Sequence, residues 1–146
     1  MAEHVLYWIL IGLLIAATVT DLRERLIYDR FVLIGVAAAV IIRMFHRPEP
    51  WWNYILTGVI VLIVLTVIAA LTNERSIGGG DVKLFAMIGL AVGWEPFLSI
   101  FLLSHVLAAV VVFGVKLFRW SSVGKHTEFP FAPFILAAVL VVYWFQ

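Results

Sequence analysis

Apolar runs recur along nearly the whole chain, and they leave few architectures open. Six can be delimited: Val5–Thr20, Phe31–Ile42, Tyr54–Leu71, Leu84–Trp94, Phe97–Val115 and Phe131–Phe145. Each is apolar on every side, which removes the alternation expected of a barrel strand. In hydrocarbon a backbone has to satisfy its own hydrogen bonds, so such segments fold as helices. Charged residues make up 13% of the chain, against about 25% in soluble domains, so there is no material for a separate soluble domain. The expectation is an all-α integral membrane protein of about six transmembrane helices, forming a single domain over residues 1–146.

The second and fourth runs are short against the ~20 residues of an ordinary span. Either they extend into flanking polar residues or the bilayer thins around them. A four-span arrangement, with these two runs re-entrant or interfacial, is the alternative. Val5–Thr20 lacks a basic leading region and a small-residue cleavage site, and so reads as a retained first span.

Positive charge orients the spans. With six spans, one face carries Arg23, Arg25, Arg30, Arg75, Lys83, Lys116, Arg119 and Lys125, and the other only Arg43 and Arg47. That eight-to-two split makes the first face cytoplasmic and both termini external. Trp8, Trp51, Trp52, Trp94 and Trp144 fall at external span ends and Trp120 at an internal one, as an interfacial aromatic belt would have them. The net charge of +1 gives no reason to expect nucleic acid as a partner, and the lipid bilayer is the surrounding medium. The chain has no cysteine, which excludes disulfides, thiolate metal sites and cysteine catalysis.

The segment Ser76-Ile77-Gly78-Gly79-Gly80-Asp81-Val82-Lys83-Leu84 stands out from this background. Three glycines allow close approach of a backbone or a substrate, and Asp81 stands directly behind them, where the fourth run begins. The bland reading of Asp81 is a helix N-cap. Its partner in a more specific reading is Asp21, which ends the first run and lies at the same membrane boundary. Two nearby carboxylates do not both ionise cheaply, and they share a proton over a wide pH range. One then activates water and the other polarises a peptide carbonyl, with no metal, cofactor or nucleophilic side chain required.

These residues resemble a known family. Gly78-Gly79-Gly80-Asp81-Val82-Lys83-Leu84 matches the Gly-x-Gly-Asp-x-Lys-Leu signature of type IV prepilin peptidases, which are membrane aspartic proteases. Asp21-Leu22-Arg23-Glu24-Arg25-Leu26-Ile27 is similar to that family's first aspartate motif, and Pro130-Phe131-Ala132-Pro133-Phe134 to the Pro-Phe-Gly-Pro-Phe opening of its last helix. The resemblance implies a bacterial inner-membrane endopeptidase in which Asp21 and Asp81 form the catalytic pair. The implied substrate is a prepilin or pilin-like protein whose leader is cut at the cytoplasmic boundary. It also implies a minimal, peptidase-only form, since the larger members carry a cysteine-ligated zinc domain.

There are departures from the family pattern. Tyr28-Asp29 stands where Pro-Asn is usual, and Ala132 replaces a glycine. Tyr-Asp is also found in presenilin-like and signal-peptide-peptidase-like proteases, which makes Asp29 a rival to Asp21. Gly78, Gly79 and Gly80 are expected to shape the substrate's approach. Lys83 is expected either to meet lipid phosphate or to act on a nearby aspartate. Pro130 and Pro133, with Glu128 just ahead of them, break the entry to the last helix and are expected to wall the substrate site. His105, mid-span, is a functional candidate by position, against the simpler reading of a neutral histidine bonded to a neighbouring helix. The rival functions are a small proton-coupled transporter or channel component using Asp21, Asp81 and His105, and a non-catalytic membrane subunit.

Overall fold

The computed structural model describes residues 1–118 and 129–146. Arg119, Trp120, Lys125 and Glu128 therefore lie outside the described residues. The described residues form six helices and no strand: α1 (Ala2–Glu24), α2 (Asp29–Phe45), α3 (Trp51–Leu71), α4 (Gly79–Val92), α5 (Trp94–Phe118) and α6 (Ala132–Phe145). All six expected runs form helices, except that the fourth, expected to reach Trp94, ends at Val92, because Gly93 breaks it and Trp94 already opens α5. Of these helices, α1, α3 and α5 are long and apolar enough to cross a membrane. The second run does extend into its polar flanks, to 17 residues, whereas α4 remains at 14, about 21 Å of helix at 1.5 Å per residue.

α1 packs on α2 and α6, and α4 packs on α2, α3 and α5; α5 and α6 also pack together. The order α1–α2–α4–α5–α6 therefore closes into a ring, with α3 laid against α4. Lipid supplies no hydrophobic force between apolar helices, so this packing rests on close approach of small residues. The α3–α4 seam illustrates it: a Cβ on Gly58 would come 2.9 Å from the Leu90 Cβ, and one on Gly89 would come 3.0 Å from the Thr57 methyl. The two glycines face each other's helices and let the backbones meet.

Much of the outer surface is apolar. Val59, Ile63, Val67, Val106, Val110 and Phe113 are all exposed, as the lipid-facing surface of a membrane protein would be. The sequence stripe Val59–Leu65 is divided, however, because Val61 and Leu65 turn inward.

The two ends of the bundle differ. At one end both termini meet, where His4 Nδ1 lies 3.2 Å from the Tyr143 hydroxyl and Tyr7 and Trp8 pack on the same ring. α4 turns into α5 at this end through Gly93 alone, whose φ of 82° suits glycine. The α5 backbone N–H at Trp94 donates to Asn53 of α3. Arg43 is here too; expected on the external face just beyond the second run, it lies instead within α2 and is buried at 2% exposure. At the opposite end are the C-terminus of α1 and the N-termini of α4 and α6.

Candidate active site

Asp21 and Asp81 reach the same end of the bundle because each extends an inward-facing helical stripe. On α1 the buried residues Leu6, Leu10, Leu14 and Ala17 run on to Asp21, which is itself buried at 8% exposure. On α4, Asp81 precedes the buried Leu84, Phe85 and Ile88 by three, four and seven positions, the spacing of one helix face. Both carboxyls therefore point toward the bundle interior at its polar end. α1 stops just beyond Asp21, where Arg25 takes a left-handed conformation (φ 53°) and its N–H returns to the Asp21 carbonyl.

Asp21 has a partner that the sequence did not suggest. The backbone N–H of Ala132 donates to Asp21 Oδ2 at 3.2 Å. Ala132 is the first residue of α6, where backbone N–H groups have no partner within the helix. Pro133 follows it and has no N–H, while Phe134 and Ile135 donate to the Phe131 carbonyl. Within the first turn of α6, the Ala132 N–H is thus left without a backbone acceptor, and Asp21 takes it. The signal was present in the two prolines, but it became a contact only through the meeting of α1 and α6 across 111 residues of sequence.

Asp81 is in a different state. Its Oδ1 is buried and has no hydrogen-bond partner in the protein. It precedes the apolar run beginning at Leu84, and burial, together with the charge of Asp21, pushes its carboxyl up to about 7. Gly78 lies against the other oxygen: a Cβ there would sit 3.6 Å from Asp81 Oδ2.

The remaining candidates fall in different places. A Cβ on Gly80 would approach the Ile27 Cβ to 3.0 Å, so Gly80 is the close contact between α4 and the α1–α2 turn. Gly79 faces Glu74. Lys83 pairs with Asp29 at 2.6 Å on the exposed surface, and Tyr28 donates to Glu24 at 2.5 Å. Tyr28 and Asp29 are therefore engaged outside the Asp21–Asp81 region. Pro130 and Pro133 are partly buried at the entry to α6. A groove of about 410 Å³ runs between the ends of α3 and α4, lined by Leu62, Thr66, Glu74, Gly79, Val82 and Lys83 among others. By helical rotation, Gly79, Val82 and Lys83 lie on a side of α4 turned away from Asp81.

His105 bonds its own helix rather than a neighbour: its Nδ1 lies 2.7 Å from the Phe101 carbonyl. Its ring is enclosed by Phe85, Phe101 and Phe131. It is hydrogen-bonded to neither aspartate. Among the described residues, no three His, Asp or Glu side chains are grouped to hold a metal.

A ring of apolar helices with two inward carboxylates at one end defines a helical membrane protein with a candidate acid–base centre. The family model for the type IV leader peptidase family matches residues 8–113, a span that includes both aspartates, and the chain belongs to that family. It is 31% identical over 135 residues to a prepilin leader peptidase/N-methyltransferase of Bacillus subtilis (strain 168), covering 92% of this chain and 53% of the relative. A protein of the same name from Pseudomonas putida is 31% identical over 90% of this chain and 46% of its own. One from Stutzerimonas stutzeri is 28% identical over 86% and 44%. The chain spans about half the length of these curated relatives. No solved structure matches it.

Proposed function

We propose that this chain is a membrane aspartic endopeptidase that removes the leader of a type IV prepilin-like protein, using Asp21 and Asp81. The observation carrying this reading is the asymmetry of the pair. Asp21 accepts the Ala132 N–H, a role suited to the ionised member. Asp81 has a buried oxygen without a partner and a raised pKa, suited to the protonated member.

In this mechanism Asp21 takes a proton from water as the water oxygen attacks the scissile carbonyl carbon. Asp81 donates its proton to the carbonyl oxygen, giving a neutral tetrahedral intermediate. Collapse of the intermediate breaks the C–N bond, and the proton held by Asp21 passes to the leaving amine. The other hydroxyl proton returns to Asp81, which restores the pair. The products are the leader's new carboxyl end and the mature protein's new amino end.

Gly78 keeps the approach to Asp81 open. Gly79 and Gly80 let the start of α4 sit against Glu74 and Ile27. Lys83 is ion-paired with Asp29 at the exposed surface, and Pro130 and Pro133 present the α6 N-terminus to Asp21. Residues 1–146 act as one transmembrane peptidase unit in the bacterial inner membrane. Its active site faces the cytoplasm, in keeping with the eight-to-two charge split. Asp29 is the weaker candidate for the first acid because Lys83 already pairs with it.

The test is co-expression with a prepilin-like substrate, followed on a gel for the leader-sized shift. Asp21→Asn and Asp81→Asn should each reduce cleavage by at least about 10³-fold while the protein still accumulates in membranes. Asp29→Asn should leave cleavage in place. Cleavage surviving both Asp21→Asn and Asp81→Asn overturns the pair. Loss only in Asp29→Asn transfers the first role to that residue.

A further inference from the structure

The helices carrying the two aspartates do not share a principal packing seam. α1 packs on α2 and α6, α4 on α2, α3 and α5, and α2 is the helix they have in common. The separation of Asp21 from Asp81 therefore depends on how both helices are fixed to α2. At the end remote from the aspartates, one side chain of α2 touches both. Arg43 donates through Nη1 and Nη2 to the two carboxylate oxygens of Glu3 on α1, the Nη2 bond being 3.0 Å. Through Nε and Nη2 it also donates to the Ala91 carbonyl of α4, at 3.0 and 2.8 Å.

The chemistry of each contact is specific. Glu3 meets the guanidinium as a two-pronged fork, which fixes orientation as well as distance. Ala91 lies in the last turn of α4, where carbonyls lack a partner within the helix and a cation is favoured by the helix dipole. The guanidinium also lies 4.4 Å from the centre of the Tyr54 ring on α3. A buried charge is costly even when paired, and an apolar pair of similar volume is often as stable. A group like this is better suited to fixing register than to adding stability.

We infer that the Glu3–Arg43–Ala91 clasp is a positioning device for the proposed reaction, pinning α1 and α4 at one end so that Asp21 and Asp81 meet at the other. The lever arms are long: eighteen residues from Glu3 to Asp21, about 27 Å of helix, and ten from Ala91 to Asp81, about 15 Å. A small rotation at the clasp is therefore magnified at the carboxyls, where a displacement of about 1 Å is enough to cost on the order of 10²-fold in rate. Arg43 is a positioning residue and takes no part in proton transfer. The inference rests on the peptidase reading for its effect on rate, but not for its effect on geometry.

The absence of native cysteine allows clean spin labelling. Labels at Leu22→Cys, near the end of α1, and Ser76→Cys, just before α4, report the spacing at the aspartate end; both positions are exposed. The Glu3→Gln/Arg43→Met double variant removes both charges together. It should keep its helix content, broaden the label-to-label distance distribution and lower kcat about 10- to 100-fold with KM little changed. Glu3→Gln alone releases α1 while sparing the Ala91 bonds, and should shift both readouts in the same direction by less. If the double variant does not accumulate, the single variant decides the matter. An unchanged distance distribution in whichever variant is folded overturns the clasp. If the unlabelled, unsubstituted parent cleaves no prepilin-like substrate, the peptidase reading fails, and the distance distribution still decides whether the clasp positions the helices.

Discussion

Asp81 combines a buried, unpartnered oxygen with the nearby charge of Asp21, and both push its carboxyl up to about 7. Below that value Asp81 holds the proton that the mechanism requires it to donate; as pH rises through it, the proton is lost. The cleavage rate should therefore fall about tenfold per pH unit on the alkaline side of neutrality. A rate that stays level or climbs from neutral into alkaline solution would show that Asp81 is not the proton donor. Asp21→Asn removes the smaller of the two causes and leaves burial. In that variant the Asp81 carboxyl should titrate lower but still above an ordinary aspartate, which an infrared carboxyl band can follow. Both acids and the triple glycine were legible in the sequence, because polar residues at the edge of apolar runs are conspicuous. The difference between them was not, since it depends on tertiary packing: α6 brings the Ala132 N–H to Asp21, while Asp81 Oδ1 is buried without a partner.

At the scale of helices, small residues govern how closely the elements pack. Gly58 on α3 abuts the Cβ of Leu90 and the backbone carbonyl of Ala86, at 2.9 and 3.3 Å from where its own Cβ would be. Neither atom is the far end of a flexible side chain, so the seam has to open to admit a larger residue. Gly58→Val should destabilise the protein by about 1–3 kcal/mol, read as a lower thermal midpoint in detergent. An unchanged midpoint would mean that α3 and α4 are not held this closely. All six helices were legible as apolar runs, but their ends were less so. α1 continues through Asp21 to Glu24, α2 absorbs Arg43, and a single glycine separates α4 from α5. A membrane helix continues into polar residues wherever tertiary partners satisfy them, and hydropathy alone does not register those partners.

For the whole molecule, the pairing of His4 with Tyr143 puts both termini at one end, and the opposite end holds both aspartates. In the proposed topology, which rests on the excess of Arg and Lys in the loops on that side of the sequence, the aspartate end faces the cytoplasm. A cysteine replacing Arg23 should then resist an impermeant maleimide added to intact cells, while one replacing Trp51 should react. The reverse pattern would invert the topology and move the site to the outer face. Among the described residues, three helices have the length and composition to cross a membrane. The shorter α2, α4 and α6 reach a stable arrangement by packing into the ring, which the single-segment hydropathy of each does not reveal.

The sequence by itself determined the helical membrane class, the charge asymmetry and the two boundary aspartates. Each of these is a local property: hydrocarbon admits only self-satisfied backbone, and polar residues collect where the runs end. The tertiary structure decided how those residues are used. It gave Asp21 a donor from the start of α6, left Asp81 an oxygen without one, and turned Lys83 and Asp29 toward each other. It also drew Arg43 inside to meet Glu3 and Ala91. These contacts join residues as many as 111 positions apart. They depend on how the helices are rotated about their axes in the closed ring, a relation that no single run of sequence contains.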